Sequence, residues 1–205
     1  MISNEKIKLF LAWKGSIFAE FSISEIMKIS SKKTKPWVFN ALKLMVKEKL
    51  LLSKRKGNID LYSLNLDNPF LIQTLQYIDA QDSLNFPELE LVIETINRIP
   101  IKNCCILVFG SYAEMKQGKE SDLDICFLIE NKQAGKKIKP YFDEVKLNYA
   151  IEADDHYITF SDFIKMLLRD EENLGKQIYR KRKLFYNSDI YYQLIKEAHK
   201  NGFKQ

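Results

Sequence analysis

The chain has 205 residues, of which 46% are hydrophobic and 29% are charged. These fractions are typical of a folded domain, and they exclude a disordered, collagen-like or coiled-coil chain. The length and a change of composition along the chain predict two small domains. Residues 1–65 contain 13 of the 32 basic and 5 of the 27 acidic residues, a net charge of +8, whereas the rest contains 19 basic and 22 acidic residues. A basic first third indicates a polyanionic partner, with a solvated lysine-rich surface as the alternative.

The cysteines and the hydropathy pattern indicate a reducing, aqueous environment. Cys104, Cys105 and Cys126 are an odd number of cysteines in apolar runs, which predicts buried free thiols without a disulfide or a zinc site. The first residues form no basic leader, and no apolar run approaches the roughly 18 residues of a membrane span. We therefore expect a soluble, cytoplasmic protein with no membrane partner.

Three helical patterns occupy the first part of the chain. Apolar residues recur at helical spacing over Glu5–Trp13, and Ser22 with Glu25 forms a capping box that opens a second helix. Pro36 stands in the first turn of a third, amphipathic helix that extends to Lys49 and has a basic outer face.

A β-hairpin pattern follows these helices. Two apolar-rich runs, at 50–53 and 59–63, flank a basic turn with Gly57 near its tip. Three helices followed by a basic hairpin resemble the winged helix-turn-helix family over about residues 3–65. In that family the third helix lies in the major groove and the wing contacts the DNA backbone. The resemblance implies duplex DNA as a partner and the DNA-binding residues Lys35, Asn40, Lys43, Lys47, Lys54, Arg55 and Lys56. A protein-interaction module is the alternative.

The chain is predicted to consist of a winged helix-turn-helix domain (1–65), a helical connector (66–86) and a second domain (87–205). The connector is expected to contain a helix within Asp67–Asn85. The second domain is expected to open with an amphipathic helix within Pro87–Ile99.

The second domain contains a strand followed by a glycine-serine turn. Asn103–Phe109 is a short apolar run that predicts a strand, and Gly110 and Ser111 end it before a helix start at Tyr112–Met115. A glycine and a serine at this point allow backbone N–H groups and a hydroxyl to approach a phosphate.

Acidic residues follow on two further strand-like runs. Asp122 and Asp124 begin the first run and share one face, because side chains alternate along a strand. The run 146–159 has strand character and adds Glu152, Asp154 and Asp155. Three carboxylates near a phosphate-binding turn form an arrangement that holds magnesium against a nucleoside triphosphate. A solvated strand start is the alternative for an Asp-x-Asp pair alone.

Gly110-Ser111, ten residues and then Asp122-Leu123-Asp124, with a later acid on a strand, resemble the polymerase beta-like nucleotidyltransferase superfamily and its minimal branch. The resemblance covers about residues 87–200, including the stretch 172–176 and a closing helix with Tyr191 and Tyr192. It implies an α/β fold of the α+β type, in which helices flank a mixed β-sheet. It also implies transfer of a nucleoside monophosphate from a nucleoside triphosphate to an acceptor hydroxyl.

The resemblance also implies the roles of the site residues. Asp122, Asp124 and Asp154 would be the catalytic residues and would bind Mg²⁺ or Mn²⁺. Asp154 is favoured because a Thr-x-x-acid helix start follows it at Thr159 and Asp162. Glu152, on the same face, is the runner-up, while Asp155 points away. Gly110 and Ser111 would contact the nucleotide phosphates.

The sequence departs from the family pattern at Glu114, where many members carry an arginine that meets the triphosphate. Lys116 and Lys119 are the candidate substitutes. His156 could lie near the carboxylates, although a histidine on a strand is more often a packed residue.

The expected acceptor is a partner protein or a small molecule, and a homodimer is left open. The alternatives are a transcriptional regulator with a nucleotide-sensing or inactive domain, and an antitoxin-like protein that modifies a partner toxin.

Overall fold

The computed structural model describes residues 3–118 and 121–204, and the chain divides into two compact units. The first unit ends at Ile78, and the second runs from Asp79 to Lys204. Each unit has its own sheet, and one of the two sheets contains both parallel and antiparallel pairs. The predicted mixed α/β class of the α+β type is therefore confirmed.

The first unit contains three helical segments followed by a hairpin. In chain order its elements are α1 (Asn4–Ile7), the 3-10 helix η1 (Lys8–Trp13), β1 (Phe21–Ser22), α2 (Ile23–Ile29), α3 (Lys35–Lys47), β2 (Leu51–Lys56), β3 (Ile59–Leu64) and the start of α4 (Pro69–Ser83). The segment predicted as one helix over Glu5–Trp13 is thus an α-helical turn continued by a 3-10 helix.

The predicted capping box is present at the start of α2. Ser22 accepts a hydrogen bond from the Glu25 backbone N–H, and the Glu25 carboxylate accepts one from the Ser22 backbone N–H. Two backbone N–H groups that have no partner within the helix are thereby satisfied, which sets the first residue of α2.

The core of the first unit lies under α3 and its hairpin. The helix buries Val38, Ala41, Leu42 and Met45 completely, and the antiparallel strands β2 and β3 pair from Leu51↔Leu64 to Lys56↔Ile59. Gly57 occupies the turn with a φ of 59°, a conformation that glycine adopts without strain. β1 pairs with the outer edge of β3, so this sheet has the order β1-β3-β2.

The second unit is built on a four-stranded sheet of order β6-β5-β4-β7. Its elements after α4 are α5 (Leu89–Arg98), β4 (Cys104–Phe109), α6 (Gly110–Ala113), β5 (Leu123–Ile129), α7 (Lys132–Tyr149), β6 (Ala153–Thr159), α8 (Phe160–Leu168), α9 (Leu174–Arg180), β7 (Arg182–Tyr186) and α10 (Ser188–Lys200). β4 is antiparallel to β5 and β7, whereas β5 and β6 are parallel.

These strand directions bring three segments to one edge of the sheet. Because β4 and β5 are antiparallel, the residue that follows β4 lies beside the start of β5. Because β5 and β6 are parallel, the start of β6 lies at that same edge. The buried side chains of α5 and α7 pack against the sheet and keep it in place.

One expected element is wrong. The run 146–159 was predicted to have strand character throughout, but Lys146–Tyr149 is the last turn of α7 and only Ala153–Thr159 forms a strand. The physical reason is the helical spacing of Ile138, Phe142 and Val145, which α7 buries against the sheet. Ala150, in a left-handed conformation, ends the helix.

The three cysteines are buried free thiols, as predicted. Burial raises the pKa of Cys104 to about 11, and it also raises the pKa of Cys105 and of Cys126. Among the described residues, none of the helices combines the length and apolar character that crossing a membrane requires.

Candidate active site

The sheet edge that carries the starts of β5 and β6 brings together two of the predicted carboxylates. Asp124 is the second residue of β5, Asp154 is the second residue of β6, and the two are direct partners in the parallel register. Both side chains emerge at the same height and on the same face of the sheet.

His156 completes a compact group with these carboxylates. One ligand atom from each of Asp124, Asp154 and His156 lies within 4.8 Å of the other two. The Nε2 atom of His156 is 3.2 Å from Oδ2 of Asp154, and its ring lies 5.4 Å from the ring of Phe109, centroid to centroid. His156 was expected to be a packed residue, yet it also belongs to the group of candidate ligands.

The electrostatics of Asp124 are those of a site that favours a cation. Burial is the largest cause that raises the pKa of this carboxyl, and the charges of Asp154 and Asp122 raise it further, while His156 lowers it. Desolvation and neighbouring negative charge both disfavour the carboxylate form. A bound cation would relieve both effects.

Gly110 packs directly against Asp124. Its φ is 66°, and a Cβ atom built on it would lie 2.0 Å from Oδ2 of Asp124. Glycine is therefore required here for two reasons, the left-handed backbone and the close approach of the carboxylate.

The other candidate acids occupy different positions. Asp122 is exposed, precedes β5 and lies outside the group formed by Asp124, Asp154 and His156, although its charge reaches Asp124. Glu152 is exposed and precedes β6. Asp155 accepts hydrogen bonds from Lys146 at 2.6 Å and Lys139 at 3.0 Å on α7.

The pKa of Asp155 is lowered, because these two lysines outweigh the opposing effect of burial. Its carboxylate therefore pairs with two lysines of α7, the helix that covers this side of the sheet. The sequence predicted that Asp155 points away from the candidate site.

A cleft of about 540 Å³ opens beside the glycine-serine turn. Its lining residues are Phe109, Gly110, Ser111, Glu114, Lys116, Gln177, Arg180 and Lys181. Two lysines of the cleft pair with its carboxylate: the ammonium of Lys181 donates a hydrogen bond to Glu114 at 2.9 Å, and the ammonium of Lys116 donates one at 3.3 Å. The cleft thus combines cationic side chains with one carboxylate that pairs with two of them.

The predicted nucleotide-binding residues lie in this cleft as far as the structure describes them. Gly110, Ser111 and Lys116 line it, while Lys119 lies outside the described residues. The Ser111 carbonyl accepts a hydrogen bond from the Lys116 backbone at 3.0 Å, which holds the turn closed.

The helix start predicted after the third carboxylate is also present. The hydroxyl of Thr159 accepts a hydrogen bond from the Asp162 backbone N–H and donates one to the Asp162 carboxylate at 2.7 Å. Thr159 caps α8 in this way, and β6 ends at a defined position relative to Asp154.

Comparison with known families agrees with this geometry. Residues 94–191 match the family model described as Polymerase beta, Nucleotidyltransferase. This match supports a polymerase beta-like nucleotidyltransferase domain. No curated protein and no solved structure matches the chain.

The second unit contains cleft residues that the sequence reasoning missed. Gln177, Arg180 and Lys181 come from α9 and its end, some 70 residues after the glycine-serine turn. The available signal was the run of four basic residues at 180–183, whose last two members, Arg182 and Lys183, are buried whereas Lys181 reaches the cleft.

The first unit presents the predicted nucleic-acid interface on its surface. The third-helix residues Lys35, Asn40, Lys43 and Lys47 are all exposed on α3, and the hairpin residues Lys54, Arg55 and Lys56 are exposed on β2. The buried residues of α3 occupy its other face, so the basic side chains of α3 lie on its exposed side.

Proposed function

We propose that this protein is a magnesium- or manganese-dependent nucleotidyltransferase that transfers a nucleoside monophosphate from a nucleoside triphosphate to an acceptor hydroxyl. The observation that carries the proposal is the pairing of Asp124 with Asp154 beside Gly110 and a cationic cleft. Carboxylates that repel each other next to a cleft lined by cationic side chains suit a metal–triphosphate ligand.

The donor set fits a hard divalent cation. Carboxylate oxygens are preferred ligands of Mg²⁺ and Mn²⁺, and Asp124 and Asp154 offer them within 4.8 Å of each other. Imidazole suits softer metals, so we assign His156 to orienting Asp154, to which it is adjacent. Asp122 would join the set when the nucleotide is present, as the family resemblance implies. The bound ion would neutralise the phosphates and favour ionisation of the acceptor hydroxyl.

The protein's own groups would position the reactants. Gly110 and Ser111 line the cleft, and their backbone N–H groups and the Ser111 hydroxyl would hold phosphate oxygens. Lys116 and Lys119 would be further cationic contacts. Asp154, whose Oδ2 lies 3.2 Å from Nε2 of His156, would accept the proton of the acceptor hydroxyl. Lys181 would take the role of the arginine that is replaced by Glu114, because its ammonium contacts the Glu114 carboxylate in the cleft.

We further propose that the first unit is a winged helix-turn-helix domain that binds duplex DNA. Seven exposed polar or basic side chains on α3 and β2 support this, together with the net charge of +8 over residues 1–65. The acceptor would be a hydroxyl of a partner protein or of a small molecule.

A second candidate function is a DNA-binding regulator whose second domain senses nucleotide without turning it over. The ion pairs of Glu114 with Lys181 and Lys116 favour it, because they occupy the cations that a triphosphate needs. An antitoxin-like protein that modifies a partner toxin is the third, and it shares the chemistry of the first with a protein acceptor.

Incubation with α-labelled nucleoside triphosphates and Mg²⁺ in a cell lysate distinguishes these functions. The parent protein should label a protein or a small molecule, and Asp124→Asn should not. Asp170→Asn is the matched control, because Asp170 is an exposed carboxylate outside the group of Asp124, Asp154 and His156. Nucleotide binding without any transfer of label would establish the sensing regulator instead.

A further inference from the structure

The exposed face of α3 contains an aromatic residue among its cations. Lys35, Phe39, Lys43 and Lys47 follow each other at four-residue steps, which places them in one row along the helix. Phe39 leaves 44% of its surface exposed, although the same helix buries Val38, Ala41, Leu42 and Met45 completely. Phe39 therefore belongs to the outer surface of the helix and contributes little to the core.

The neighbours of Phe39 identify the partner that its ring fits. Lysines lie one helical turn before it and one turn after it, and Asn40 is exposed beside it. Cores of protein–protein interfaces are depleted of lysine, because burying an unpaired ammonium is costly. Duplex DNA satisfies both kinds of side chain, since phosphates pair with lysines and the thymine C5-methyl group is an apolar surface in the major groove.

We propose that Phe39 contacts a thymine methyl group and thereby makes the first unit prefer thymine at one position of its DNA site. The inference rests on the DNA binding proposed above and adds the residue that reads the base. The lysines of the same row would fix the register on the backbone, which carries no sequence information. Phe39 would supply the discrimination that they lack.

The test begins with selection from random-sequence, fluorescently labelled duplex DNA by the full chain. In the duplex that the parent selects, each thymine is replaced in turn by uracil, which removes only the methyl group. The parent should lose about fivefold in affinity at one thymine, the lower end of what a specific base contact contributes. Phe39→Ala should show the weaker affinity with thymine present and should no longer respond to uracil at that position.

Matched variants separate this effect from general damage. Phe70→Ala removes another exposed phenyl ring, which is 68% accessible and lies outside the row, and it should retain the full response to uracil. Phe39→Leu keeps an apolar side chain and should retain part of the thymine preference. Lys43→Ala should weaken binding to all duplexes alike, which checks that the helix touches DNA at all.

Three results would overturn the inference. If Phe39→Ala kept the parent's thymine preference, or if the parent bound duplexes without sequence preference while Lys43→Ala still weakened binding, DNA binding would stand and the role of Phe39 would be wrong. If the parent bound no duplex at low salt, the proposed DNA binding would fail and the inference with it.

Discussion

Replacing Gly110 by alanine should strain the backbone at this position and displace the Asp124 carboxylate of the candidate active site. Two effects add at this position, the left-handed φ of 66° and a contact of 2.0 Å between the new Cβ and Oδ2 of Asp124. The left-handed conformation costs a residue with a Cβ about 1–2 kcal/mol. Moving Asp124 out of its position adds about 1 kcal/mol for an unfavourable rotamer.

The expected loss of unfolding free energy is therefore about 2–3 kcal/mol, which lowers the melting temperature of a unit of this size by roughly 8–12 °C. Scanning calorimetry measures this shift. Nucleotide binding in the presence of Mg²⁺ should also be lost, because the displaced carboxylate no longer faces Asp154.

Two other glycines of the second unit separate the two effects. Gly202 has a φ of 106° and open space around the added Cβ, so Gly202→Ala introduces strain without a clash. In Gly118→Ala the added Cβ would lie 3.7 Å from the Ser121 hydroxyl, an ordinary contact, and little change is expected. If Gly110→Ala were no more harmful than Gly202→Ala and still bound nucleotide, the close packing of Gly110 on Asp124 would have no functional meaning.

Three further predictions concern charge. Glu114→Gln should bind ATP about fivefold more tightly, because it removes a negative charge beside the phosphates and frees Lys181; unchanged affinity in a fluorescence titration would contradict this. Lys43→Ala should reduce the slope of the logarithm of DNA affinity against the logarithm of salt concentration by about 0.9, and an unchanged slope would remove Lys43 from the interface. The pKa of Glu5 is lowered to about 2, chiefly by a hydrogen bond from Lys32, so its contribution to stability is present above the ordinary value of 4.5 and is lost as pH falls through about 2. An NMR titration of the carboxyl group with a midpoint near 4.5 would refute that pairing.

The sequence was most informative where structure is local. The Ser22 capping box, the hairpin around Gly57 and the strand that ends just before Gly110 each depend on a few neighbouring residues, and their chemistry is visible in the sequence. The pairing of Asp124 with Asp154 depends on the parallel register of β5 and β6, which spacing alone does not predict. The resemblance to a family implied only that both residues belong to the site.

Features that depend on distant segments were harder to predict. α7 was missed because its charged residues mask the helical spacing of the few apolar side chains that it buries. The position of Lys181 in the cleft depends on where α9 ends relative to the glycine-serine turn, and no local pattern encodes that distance. His156 lies near the two carboxylates because β6 pairs with β5. The sequence alone does not show this pairing, so it could not distinguish a site histidine from a packed one.

Isothermal titration calorimetry of a non-hydrolysable nucleoside triphosphate, with and without Mg²⁺, tests the central claim most directly. The parent and the control Asp170→Asn should bind the nucleotide only when Mg²⁺ is present, and Asp124→Asn should lose that binding while it keeps the parent's melting temperature within a few degrees. Equal, Mg²⁺-dependent affinity of Asp124→Asn and the parent would contradict the assignment of Asp124 and Asp154 as the metal-binding pair.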